Sequence, residues 1–319
     1  MFTTSTGRLR PVWSFVISIV LSFAAYVITG VIAEAVAGQH YLLLEVISRP
    51  LVALLLIGVY VWLLTIADNL HDHRIAAQGL PLTLGWRQQF VTGCLLGSTL
   101  TVLAVMPIAV SGSGTLSFHH GIHTLLRAGA VLFVLLAGAL AEELMFRGYP
   151  FQRLEEGIGA LGAIAVFSVL FGGVHLLNPS ASVWGLTNTV LIGILLAIAY
   201  LRTRALWLPW GIHFGWNATL GLVCGLPVSG IRTFNVLVWT STTGPKWMTG
   251  GSYGIEASAT GTVAVLIGLL VIWKMPIARS AGYVQLAADG PLAAAGDAAA
   301  GAFDQVGGEQ RVEQDDGGR

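Results

Sequence analysis

The chain runs to 319 residues, 55% of them hydrophobic and only 10% charged, with a formal net charge of zero and a mean hydropathy of +0.77. A soluble domain carries about 25% charged residues, so a surface facing water throughout is excluded and most of it must face lipid. Charge neutrality also argues against nucleic acid as a partner.

A membrane span needs about 20 mostly apolar residues. Stretches of this kind occur at 12–35, 49–67, 88–110, 124–147, 160–177, 184–201, 206–223 and 259–275. They predict an all-α, polytopic transmembrane bundle of about eight spans, filling residues 1–277. The first run is too long for a signal-peptide core and lacks a small-residue cleavage site, so it counts as a span. With the N-terminus inside, only Arg49, Arg127, Arg232 and Lys246 fall on the outer side, and every other Lys and Arg lies inside. That skew places both termini in the cytoplasm.

Residues 68–87, with His71-Asp72-His73-Arg74 and Gly79-Leu80-Pro81, read as a loop at the inner interface. Residues 226–258 form a long outer connection rich in Gly, Thr and Trp. From 278 to 319 the chain turns to Ala, Gly, Asp and Glu. It has too few large apolar residues there to build a core, which predicts a disordered cytoplasmic tail. Cys94 and Cys224 stand far apart, and each is expected to be a small buried apolar residue rather than half of a disulfide. The bias toward Ala, Gly and Arg suits a GC-rich bacterial genome and hence a bacterial cytoplasmic membrane.

Polar residues inside the spans are few. The uncharged run from Ala128 to Ala141 ends in Glu142-Glu143-x-x-x-Arg147. A carboxylate near a bilayer centre costs roughly 2.5–3.5 kcal/mol, so two adjacent ones require a partner or a watery cavity. Helix neighbours point about 100° apart while i and i+4 share a face. Glu143 and Arg147 can therefore pair, which turns Glu142 away, free to face a cavity as a base.

A second group, Phe171-Gly172-Gly173-Val174-His175, closes the fifth span. With a turn at Gly157-x-Gly159, Glu142 lies about 15 residues before it and His175 about 18 after. At about 1.5 Å per residue the arms differ by only about 4–5 Å, so the two reach similar depth. Pro150 is expected to kink or end the fourth helix nearby.

The third group is Pro209-Trp210-Gly211-Ile212-His213-Phe214-Gly215-Trp216-Asn217. Pro209 fits a first helical turn. His213 and Asn217, four apart, share a face between glycines that permit close backbone approach. Two such donors side by side suit a developing oxyanion. Taken singly, each group also reads as a structural pair or as interhelical glue. Three of them in one sparsely polar chain, each with an insertion cost, point to a site.

Other features carry less. His119-His120-x-x-His123 has the look of a metal tract but sits in a short loop without a carboxylate. Glu155-Glu156 reads as an interfacial helix end that meets water, and Gly93-x-x-x-Gly97 as a packing motif. Thr187 and Asn188 fit either packing or a cavity wall.

The motifs E-E-x-x-x-R at Glu142–Arg147, F-x-x-x-H at Phe171–His175 and H-x-x-x-N at His213–Asn217 occur in order in three apolar spans. In this the chain resembles the CPBP (Abi) family, which takes in CAAX prenyl proteases and bacteriocin-processing enzymes. The resembling core covers 124–223. The resemblance implies an intramembrane peptidase acting on a membrane-associated peptide or protein. Glu142 would activate water with help from His175, His213 and Asn217 would stabilise the oxyanion, and Glu143 and Arg147 would support them. It also raises a divalent metal such as zinc on Glu142, His175 and His213. H-E-x-x-H is absent, though, and a glutamate-held water needs no metal, so no cofactor is the favoured expectation. Bacteria generally lack prenylated CAAX proteins, which favours peptide maturation or cleavage of signalling proteins. Two competing readings are a non-catalytic bacteriocin self-immunity factor or scaffold, and transport coupled to protonation of Glu142. The chain shows no internal repeat to support a transporter.

Overall fold

The computed structural model describes residues 79–276 except position 83, together with Trp13, Val16, Ile17, Val20, Ala24, Ile28 and Val31, which are helical. The rest of the expected span 12–35, the span 49–67, most of the loop 68–87 with its His71–Arg74 cluster, and the tail 278–319 lie outside the described residues. The expected spans from 88 onward are all helical over most of their length.

In chain order the elements are α1 (Trp86–Val110), β1 (Gly114–Phe118), α2 (Ile122–Arg147), α3 (Tyr149–Val174), a 3-10 turn at His175–Leu177, α4 (Val183–Thr203) and α5 (Trp207–Ala218). A π turn at Thr219–Val223 follows, then β2 (Val238–Thr242), α6 (Lys246–Thr249), a 3-10 turn at Ile255–Ala257 and α7 (Ala259–Lys274). Three helical stretches, α1, the α2–α3 composite and α4, are long and apolar enough to cross a membrane. Leu125, Leu126, Leu161, Val169, Val263 and Leu270 are all exposed on these helices and on α7. In water they would make an apolar surface far larger than a soluble monomer shows; in a bilayer they are the surface. The protein is an integral membrane protein.

The spans are apolar on nearly every face, so hydrophobic burial alone does not fix how they pack; small residues do. α1 runs along α5 with backbones in direct approach. A Cβ on Gly97 would overlap the Ile212 carbonyl and lie 2.9 Å from the Trp216 nitrogen. Gly93 and Gly211 meet the opposite backbone in the same way. Gly97→Val is therefore expected to destabilise the fold by about 1–3 kcal/mol through overpacking. Thermal unfolding in detergent reads this, and an unchanged midpoint would show that α1 and α5 can separate freely. α7 lies against α1 and α4, α3 packs on α4, and α2 bridges α3 and α5. One apolar core joins Leu100, Leu196, Ile212, Trp216 and Val265, and a second joins Leu144, Phe151, Phe167, Phe171 and Tyr200.

Between α2 and α3 the chain turns sharply at Gly148, with φ −76° and ψ −142°. Pro150 then falls in the first turn of α3, where no amide hydrogen is needed. α3 breaks again at Gly159, whose φ of 79° and ψ of 167° suit glycine and few other residues. The turn foreseen at Gly157-x-Gly159 is thus present, with a short helix before it. That helix corrects one expectation. Glu155 does not meet water: it is buried and receives two hydrogen bonds from Arg204, at 2.8 and 2.9 Å. Only Glu156 is partly exposed, paired with Arg153 at 2.6 Å. The pairing depends on Arg204, 49 residues away, and no local pattern announces it.

Residues 226–258 carry more structure than a bare connection. β2 pairs antiparallel with β1, and Asn235 Nδ2 donates to the Gly221 and Leu226 carbonyls. Asn188, left open between packing and cavity, does the former. Its amide donates to the Glu256 and Ser258 carbonyls, and its oxygen accepts from Thr262. Cys94 and Cys224 are free thiols, half-buried rather than fully buried.

Candidate active site

α2 presents its two adjacent carboxylates to different surroundings, as the 100° step of a helix requires. Glu143 is fully buried and pairs with Arg147 at 3.2 Å. Arg147 is held in turn by the Gly193 carbonyl, which accepts from Nη2 at 3.2 Å, and by Phe171, whose ring lies 4.4 Å from the guanidinium carbon. Glu142 points elsewhere, with a third of its side chain accessible, and its Oε2 makes no hydrogen bond among the described residues.

α5 delivers His213 between these carboxylates. Its Nδ1 donates to Glu143 Oε1 at 2.8 Å, because a carboxylate can only accept. Its Nε2 is then directed at Glu142, 3.8 Å from Oε2, too long for a direct hydrogen bond. One turn on, Asn217 is half-buried, and its side chain makes no hydrogen bond among the described residues. The end of α3 supplies His175. Its Nδ1 donates to the Phe171 carbonyl at 2.7 Å, which leaves the Nε2 lone pair of the neutral ring available. The Phe171 ring lies beside His175, at 4.8 Å, and meets His213 edge-on at 6.0 Å. The same ring thus packs against Arg147 and both imidazoles.

Glu142, His175, His213 and Asn217 border one cavity of about 210 Å³. Most of its remaining wall is apolar, built from side chains such as Val134, Ile192, Leu195 and Val265. Such a volume holds several waters or part of a peptide. Residues from α2, the 3-10 turn after α3 and α5 that lie up to 75 positions apart in the chain therefore border one space.

Residues 124–219 match the family model of Rce1-like type II CAAX prenyl endopeptidases. The matched segment holds all six motif residues, Glu142, Glu143, Arg147, His175, His213 and Asn217. The sequence resemblance to the CAAX protease group therefore holds over this segment, and the family is one of peptidases. No curated protein and no solved structure matches the chain.

The Rce1-like segment does not complete the cavity. Ser229 and Glu256, from the stretch between the π turn and α7, also line it. Glu256 Oε1 accepts from the Trp216 indole at 3.1 Å, and Oε2 accepts from the Ser229 amide and from its hydroxyl at 3.0 Å. Burial pushes its carboxyl above the ordinary carboxylate range, against the pull of Ser229, His175 and Trp216. No motif flagged Glu256. One signal was available: it is the single acidic residue between Glu156 and Asp289.

The zinc set Glu142, His175 and His213 does not gather as ligands would. Among the described residues no group of three His, Cys, Asp or Glu is spaced to hold an ion, and that includes His119, His120 and His123.

Proposed function

We propose that the protein is an intramembrane endopeptidase that hydrolyses a peptide bond in a membrane-associated peptide or protein. The observation that carries this reading is the convergence of Glu142, His175, His213 and Asn217 on one cavity inside a membrane-embedded, Rce1-like helical segment. Glu142 Oε2 and His213 Nε2 stand 3.8 Å apart without a direct hydrogen bond and both residues border the cavity, which leaves room for a third molecule to bond to each.

In this mechanism a water molecule bonds to Glu142, with the His175 Nε2 lone pair accepting its second hydrogen. Glu142 takes a proton as the water oxygen attacks the peptide carbonyl carbon, and the carbonyl π electrons move to its oxygen. Asn217 Nδ2 and His213 Nε2 donate to that oxyanion; because Nδ1 is already a donor, His213 does so from its doubly protonated ring, with Glu143 as counter-charge. Collapse of the tetrahedral intermediate breaks the C–N bond, and the proton held by Glu142 passes to the leaving amine. Glu143 and Arg147 act as positioning residues that fix the His213 ring. A base of this kind contributes about 10²–10⁴-fold, and each oxyanion donor about 10²–10³-fold.

These steps use no metal, because Glu142 and the His175 Nε2 lone pair hold the water between them. The test is cleavage of membrane peptides by the purified chain, together with mass spectrometry of peptides that accumulate in cells carrying Glu142→Ala. Wild-type protein is expected to cut a set of peptides that the variant leaves whole. Identical peptide profiles would sink the hydrolase reading. Protection from a bacteriocin that survives Glu142→Gln and His175→Ala would replace it with self-immunity. Asn217→Ala is expected to lower kcat about 10²–10³-fold with KM nearly unchanged, since its donor acts on the oxyanion. Steady-state kinetics on one cleaved peptide separates the two constants.

A further inference from the structure

Three carboxylates are buried among the described residues: Glu143, Glu155 and Glu256. The first two follow the rule that buried charge is paired, Glu143 with Arg147 and His213 and Glu155 with Arg204. Glu256 breaks the rule. It is only 4% exposed, yet its hydrogen-bond donors are a neutral indole, a neutral amide and a neutral hydroxyl. Among the described residues no Lys or Arg pairs with it. No hydrogen bond joins it to His175, whose Nδ1 hydrogen is committed to Phe171.

We propose that Glu256 is the anchor of a cation subsite in the cavity, which takes an alkylammonium or guanidinium group of the bound peptide. An ionised carboxylate offers about four acceptor positions, and Trp216 and Ser229 fill three. The fourth belongs to a group that borders the cavity. The three donors hold the carboxylate rigidly, so a cation that arrives meets a preorganised partner. Most of the cavity wall as a whole is apolar, which strengthens a charge-assisted contact within it, and the Glu256 carboxylate itself repels an acidic side chain. Glu256 is tethered to Trp216, three residues or about 4.5 Å of helix rise from His213. The subsite therefore selects a basic residue within a few positions of the scissile bond.

This inference rests on the peptidase reading for the identity of its ligand as a peptide, and its test is arranged to fail separately. Binding is measured to full-length Glu142→Gln protein in a non-ionic detergent, so no cleavage is needed. The probes are fluorescein-labelled nonapeptides of Ala and Leu in which one Lys is scanned through each position, alongside the same series with norleucine. At one or two adjacent positions the Lys peptide is expected to bind about tenfold tighter or more than its norleucine twin, the size of one buried charge-assisted hydrogen bond. Adding Glu256→Gln is expected to erase that ratio while the thermal midpoint holds. Should the Gln variant fail to fold, Glu256→Asp, which withdraws the charge by one methylene, is expected to cut the ratio several-fold. A cavity with Glu256 intact that shows no preference for Lys at any position, or a ratio unchanged in the folded Glu256 variant, overturns the subsite. Absence of cleavage by the wild-type protein, with the binding ratio intact, would instead count against the hydrolytic mechanism and leave the subsite standing.

Discussion

Replacing Glu142 by Gln is expected to lower peptide cleavage by about 10²–10⁴-fold while leaving the fold intact. The magnitude follows from the removal of a general base that works at the attacking water, about 10²–10⁴-fold, which corresponds to about 3–5 kcal/mol of transition-state stabilisation. The retention of fold follows from the surroundings. Glu142 is the partly exposed carboxylate of the pair, and its Oε2 has no protein donor among the described residues to lose. A near-isosteric substitution that strands no hydrogen-bond donor is expected to shift stability by about 1 kcal/mol or less. Cleavage and thermal unfolding should be measured on the same preparation. Normal turnover by folded Glu142→Gln would remove the base from the mechanism, and joint loss of activity and stability would reassign Glu142 to the scaffold.

Arg147→Ala should produce the reverse pattern, a large loss of stability from a residue that touches no substrate. Arg147 is buried to 1% and satisfies three partners at once: Glu143, the Gly193 carbonyl on α4, and the face of Phe171. Its removal leaves Glu143 buried with only His213, and breaking a buried pair on one side costs about 3–5 kcal/mol. Arg147→Lys is not expected to rescue. A single ammonium cannot reproduce the planar fork that reaches Glu143 and Gly193 while stacking on Phe171. Glu143→Gln combined with Arg147→Met is expected to be less damaging than Arg147→Ala, because it strands no charge. Thermal unfolding of the four proteins tests this, and a midpoint for Arg147→Ala within a degree of wild type would mean the pair carries no structural load.

The two substitutions separate roles that the sequence places side by side. Glu142 and Glu143 are neighbours in the chain, yet one borders the cavity and the other is sealed behind it. Helix geometry alone foretold this division. The i, i+4 spacing of Glu143 and Arg147 required a shared face, and the one-residue step forced Glu142 off it. The kink near Pro150, the turn at Gly157-x-Gly159 and the readiness of Gly93 and Gly97 for close packing were legible for a similar reason. Each depends on a local backbone property of Gly or Pro rather than on distant partners.

What remained hidden depends on contacts between residues far apart in the chain. A span that is apolar on all sides has no periodic signal to tell which face meets protein and which meets lipid. Only its few polar residues carry that information, and they name no partner. Glu155 looked like a wet helix end until Arg204 was found against it. Glu256 sat in a stretch that read as a connection, and only the packing of that stretch over α4 and α5 brings its carboxylate to the cavity. The hydrogen bond from His213 to Glu143 belongs to the same class. It decides which imidazole nitrogen faces Glu142, a matter of tautomer that spacing does not encode.

By itself, then, the sequence determined that the chain is a bundle of apolar helices, which residues bear a price for entering it, and which of them share a helix face, since all three follow from composition and helical period. Tertiary structure alone decided that those residues meet, that they meet around an open space, and that a third buried carboxylate joins them. Convergence of this kind is a property of how helices pack, and packing between uniformly apolar surfaces is set by small-residue contacts and long-range hydrogen bonds that no single segment contains.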